Sequence, residues 1–127
     1  MAFVGEAAAV AAGGAIGAVM RYGATALVTS WLPRGFPWGT LSVNVLGSLL
    51  MGMVFVLLVE RGLPGSGGRL FFGVGLIGAF TTFSTFSLDA IALYEAGAGL
   101  RAGLYVLASV ATCLLATLAG IIITRSF

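Results

Sequence analysis

Thr40, Asn44 and Ser48 recur every four residues inside an otherwise apolar stretch, so on a helix they share one face. The hydroxyls can bond the carbonyl one turn back, but an amide cannot hide itself in that way. Asn44 therefore needs a partner on another helix or in water. Two roles fit it: glue between helices, or a hydrogen-bond donor facing an aqueous path. Tyr105, Ser109 and Thr117 form a second row, with Thr112 or Cys113 between. Alone, that row reads more readily as a packing seam than as a pore wall. A third cluster runs from Gly78 to Ser87, where Thr81, Thr82, Ser84 and Thr85 are interleaved with Phe80, Phe83 and Phe86. This composition favours a local break in the helix around Gly78–Thr81, in place of a continuous helix with a hydroxyl seam. A break frees carbonyls and amides that only protein, an ion or water can satisfy in a membrane.

Arg21 and Asp89 are charges within apolar stretches, and each costs about 2.5–3.5 kcal/mol at a membrane centre. A salt bridge, snorkelling to the interface or direct work on a substrate are the open roles. Enzyme chemistry is poorly supplied. With no histidine and Cys113 as the only cysteine, a His-based triad, a zinc cluster and an intrachain disulfide are all excluded. Six scattered arginines make no basic stripe, so no nucleic-acid partner is expected.

The elements that must position these residues follow from composition. The 127 residues are 60% hydrophobic and only 8% charged, too few charges to cover a soluble surface. The lipid bilayer is the expected environment, and the fold is all-α. A spanning helix needs about 20 apolar residues. Residues 7–29, 38–59, 70–94 and 102–124 qualify, giving a single four-helix transmembrane domain over 1–127. Pro33, Pro37 and Pro64 fall between spans, where they interrupt no helix. Trp31, Trp38 and Tyr94 sit at span ends as interfacial anchors. The first span is too long and too poor in flanking basic residues for a cleaved signal. Most of the 20 glycines, including the Gly13/Gly17 pair, read as sites of close helix approach.

Arginine bias sets orientation. Arg61, Arg69 and Arg125 lie on one side and Arg34 and Arg101 on the other, three against two, or three against three with Arg21. So flat a balance fixes no orientation, and insertion both ways is one expectation.

Three segments carry a resemblance: Gly13-Gly-Ala-Ile-Gly-Ala-Val-Met-Arg-Tyr22, Gly39-Thr-Leu-Ser-Val-Asn-Val-Leu-Gly-Ser48 and Gly75-Leu-Ile-Gly-Ala-Phe-Thr-Thr-Phe-Ser-Thr-Phe86. In order and content they resemble the Fluc (CrcB-like) fluoride channel family. The resemblance implies an antiparallel, dual-topology homodimer in the inner (plasma) membrane, with two fluoride pores and a structural sodium ion where two broken third helices cross. It implies export of cytoplasmic fluoride down its gradient. By position, Asn44 is the pore amide, with Thr40 and Ser48 on its face, and Phe83 and Phe86 are the pore aromatics. Tyr105, Ser109 and Thr117 are the fourth-helix polar track, Arg21 stands at the vestibule, and the carbonyls of Gly78 and Thr81 hold sodium. Cys113 departs from the hydroxyl expected in that track. A small dual-topology drug exporter is a rival reading, but Arg21 has the wrong sign for a site that trades protons for cations. A non-transporting assembly subunit is another, and it leaves Asn44 and the broken helix unexplained.

Overall fold

The computed structural model describes residues 2–127. Helix α1 spans Ala2–Trp31 and α2 spans Trp38–Glu60; Ser66–Glu95 forms the third span and Gly99–Arg125 the last. All four are long and apolar enough to cross a membrane, and each runs at or slightly past the stretch expected from the sequence. The third span comprises α3, residues 66–80, and α4, Phe83–Glu95; the last helix is α5.

Alanine-rich α1 has high intrinsic helix propensity. Pro37 stands just before α2, where its missing N–H costs no ladder bond. Gly97 (φ 81°) ends α4: Ala98 N–H reaches Leu93 O at 2.9 Å and Gly97 N–H reaches Tyr94 O at 3.1 Å. This pairing satisfies carbonyls that the helix end leaves open, and it needs the left-handed residue that glycine supplies. Winding is wider than an α-helix over Phe55–Glu60 and Arg69–Ile77. There the N–H of Gly78 reaches the carbonyl of Gly73, five residues back. Nothing in the sequence pattern announced these π-type turns.

Two glycine seams hold the helices. A methyl on Gly13 or Gly17 would strike the carbonyl of Phe71 or Leu76, and one on Gly75 would meet Val10 O at 2.7 Å, so α1 and α3 touch backbone to backbone. Gly52 and Gly120 do the same for α2 and α5, against the carbonyls of Thr117 and Leu49. Such approach gains the dispersion contacts that drive association where lipid tails remove the hydrophobic incentive. At one end, Arg61 Nη2 donates to Thr124 O at 2.7 Å and Arg125 pairs with Glu60, tying α2 to α5.

The chain's interior is small. Only 11% of the most apolar window of α1 and of α5 is buried within it. Leu107, Leu114, Leu115 and Ile122 lie exposed along α5, as lipid-facing side chains do. These spans make the chain a multi-pass membrane protein.

Candidate functional site

Helical geometry stops at Phe80 and resumes at Phe83. Between them Thr81 (φ −88°, ψ 158°) and Thr82 (φ −150°, ψ 118°) are extended. The sequence places the change at Gly78–Thr81, but Gly78 itself stays helical at φ −58°, ψ −39°. The extended residues begin three positions later because the groups that hold them lie there. Asn44 Nδ2 donates to Thr82 O at 3.0 Å, and Thr82 N–H donates to Asn44 Oδ1 at 2.7 Å. The two bonds fix which end of the amide is oxygen. Thr82 Oγ1 accepts from Thr85 N–H at 3.2 Å and so caps α4.

Two of these three bonds divert a backbone donor from the helical ladder. A continuous helix would aim Thr82 N–H at Gly78 O and Thr85 N–H at Thr81 O. Here the first goes to Asn44 and the second to the Thr82 hydroxyl. Ala79 O, in turn, accepts from Arg21 Nε at 3.1 Å. Among the described residues Arg21 has no salt-bridge partner; its cation stands at the negative end of α3, where a helix dipole favours it.

Around this junction lies a groove of about 300 Å³. Asn44, Ser48 and Met51 line it from α2, and Ser109, Cys113 and Thr117 from α5. Thr81, Thr82, Phe83 and Phe86 close it from the third span. Thr117 Oγ1 is engaged with Ser48 O at 3.1 Å. Ser109 is 5% exposed, and its Oγ has no partner among the described residues. A buried hydroxyl without a partner is costly enough to be rare. Phe86 is buried and Phe83 is 78% exposed, with ring centroids 5.3 Å apart at 53°.

Three expected residues lie elsewhere. Tyr105 is fully buried behind Phe86, its ring 5.2 Å away, and its hydroxyl donates to Asp89 at 3.2 Å. Thr40 is buried and lines two neighbouring cavities; Arg21 lines the first and Asp89 the second. Gly78 is exposed on the outer side of α3. Thr82 and Thr85, which the sequence offered only as members of a hydroxyl run, carry the backbone arrangement. Thr82 is of a residue type favoured at a helix N-cap, and that is the signal it carries. Among the described residues no three His, Cys, Asp or Glu gather as metal ligands.

A family model described as CrcB-like protein, Camphor Resistance (CrcB), matches residues 8–121. A fluoride-specific ion channel FluC from Magnetococcus marinus is 49% identical over 116 residues, covering 91% of this chain and 94% of its own. One from Sphingopyxis alaskensis is 50% identical over 113 residues, covering 89% and 90%. One from Hahella chejuensis is 50% identical over 118 residues, covering 91% of each chain. All three are named as channels, not as enzymes. With the match reaching into all four spans, the chain belongs to the CrcB-like family.

Proposed function

We propose that this chain is a fluoride-selective channel that lets cytoplasmic fluoride leave down its electrochemical gradient. The observation that carries the reading is the groove itself. One N–H of Asn44 is spent on Thr82, which leaves the other for a guest, and the orphaned Ser109 hydroxyl supplies a second donor. Fluoride is small and tightly hydrated, so a pore has to replace its waters with compact donors. Phe83 and Phe86 add ring edges, whose positive potential attracts an anion more weakly than an arginine does. Weak binding suits conduction, which requires release as well as entry. The names of the relatives support fluoride as the ion.

The working unit is an antiparallel homodimer with two pores, inserted in both orientations. The exposed Phe83 and Gly78 support it, since a single copy leaves this part of the site open. In the dimer Thr81 and Thr82 are the mid-membrane break of the third helix, and the inner membrane is its location. A structural sodium ion fits at the junction. The carbonyls of Gly78 and Thr81 have lost their ladder donors to Asn44 and Thr82, and carbonyl oxygens suit a hard cation. When bound, sodium would neutralise those two dipoles from both copies. Arg21 is the vestibule cation, and Thr40 and Tyr105 flank the pore. The test is reconstitution into liposomes with efflux followed by fluoride- and chloride-selective electrodes. Rapid fluoride efflux without chloride efflux is expected; equal loss of both ions, or of neither, overturns the reading.

A further inference from the structure

One glycine of the groove packs unlike those of the two seams. Gly47 is buried on α2 and lines the groove. It lies three residues beyond Asn44, so the two share a helix face. The seam glycines abut backbone, whereas the nearest neighbours of a methyl on Gly47 are all side-chain atoms. That methyl would overlap Thr81 Cγ2 and stand 3.2 Å from Phe80 Cδ2. The second γ substituent of Thr81 is held as well, since its Oγ1 donates to Ile77 O at 3.3 Å. With both γ atoms engaged, a β-branched side chain keeps a single rotamer. Thr81 is also where the backbone turns extended, and Thr82, its neighbour, is the residue that Asn44 brackets. Helix α2 thus offers the extended pair a seat in two parts, a notch for Thr81 and an amide for Thr82.

We propose that Gly47 is a positioning residue for conduction: its notch seats the Thr81 methyl, and so sets the direction of the Thr81 carbonyl and the fit of Thr82 to Asn44. On the channel reading, which this role rests on, those are the groups that serve the cation and the anion. Helix α2 is anchored by its seam at Gly52, so the extended pair is the softer side of the contact. A methyl at position 47 therefore moves Thr81 and Thr82, not α2. The two Asn44 bonds, at 3.0 and 2.7 Å, leave little room for such a shift before they weaken. Threonine at 81 is matched to the notch, because serine keeps the hydroxyl and the carbonyl but has no methyl to fill it.

A double-mutant cycle on the full-length protein in liposomes tests the pair. Gly47→Ala should slow fluoride efflux at least about tenfold, and Thr81→Ser no more than about threefold. Gly47→Ala/Thr81→Ser should return to within about threefold of Thr81→Ser, because the atom that the new methyl strikes is gone and the Phe80 ring edge can yield. Rates are scored per folded protein recovered from gel filtration. Gly52→Ala, whose methyl meets backbone, is the control that Thr81→Ser should not rescue. Hydrogen–deuterium exchange over residues 81–85, read by mass spectrometry, reports the seat without any flux. Exchange there should quicken in Gly47→Ala, recover in the double variant and stay parental in Gly52→Ala. Parental exchange in Gly47→Ala, or a double variant no better than Gly47→Ala in either readout, overturns the role. Quickened exchange with parental efflux limits Gly47 to packing and overturns it too. A parent that passes no fluoride overturns the channel reading instead, and the exchange cycle still decides whether Gly47 seats Thr81.

Discussion

Asn44 gives its oxygen and one N–H to the backbone of Thr82, so its side chain is both a structural bracket and a donor. Asn44→Asp keeps an acceptor for the Thr82 N–H. It sets an oxygen against the Thr82 carbonyl, however, and removes the spare donor. Fluoride efflux is expected to fall below electrode detection while gel filtration still shows a folded protein; parental efflux would mean that the amide only packs. The two phenylalanines should separate by burial. Phe86→Ile disturbs a buried ring in contact with Tyr105 and Phe83, at a cost of about 1–3 kcal/mol, with Phe86→Met milder. Phe83→Ile, on an exposed position, should shift stability by no more than about 0.5 kcal/mol. Both Ile variants should slow efflux, and thermal melts beside flux assays distinguish the cases. Parental rates in both would make the rings packing alone. At this scale the sequence revealed which residues were polar where packing gives no reason, Asn44 above all. It did not reveal their partners. Asn44 and Arg21 both bond backbone carbonyls, and a carbonyl has no residue type to read. Tyr105 illustrates the converse. Its four-residue spacing to Ser109 places it on the right face, yet spacing carries no depth, and the ring lies behind Phe86.

Helix-to-helix contact is where glycine spacing becomes measurable. Gly17→Ala would push a methyl into the Leu76 carbonyl, and Gly52→Ala one into Thr117 O; both lie in backbone-to-backbone seams that cannot yield locally. Each should lower stability by about 1–3 kcal/mol, seen as an earlier melting midpoint. Among the described residues, nothing lies within 4 Å of a methyl added at Gly5 or Gly23, so alanine there should be neutral or gain up to about 1 kcal/mol from helix propensity. Equal shifts at seam and control positions would refute the seams. The spans themselves were legible because about 20 apolar residues in a row have few alternatives in a membrane protein. The wide turns over Phe55–Glu60 and Arg69–Ile77 were not, since they depend on how neighbouring helices dock and have no period of their own. The extended pair Thr81–Thr82 overlaps the expected stretch Gly78–Thr81 at Thr81, while Gly78 itself is helical. Gly78 drew the reading as a helix breaker, whereas Asn44 and the Thr82 cap act downstream of it.

For the whole molecule, the flat arginine balance bears on insertion. A cysteine at Ser66, the exposed first residue of the third span, should be labelled by an impermeant maleimide from both sides of native membranes in a Cys113→Ser background. Labelling from one side only would rule out dual insertion. The two glycine seams also constrain the order in which the chain can assemble. Neither joins helices adjacent in sequence: α1 meets α3, and α2 meets α5. During synthesis the Gly13/Gly17 face must wait in lipid until Gly75 and Leu76 have entered, and the Gly52 face must wait until Thr117 and Gly120 follow. The spans are therefore committed to the bilayer one by one before they find their partners, and assembly is a lateral search among helices already inserted. A chain stopped short of α5 would keep its first seam and leave the Gly52 face of the second without its partner, although each of its spans would be wound.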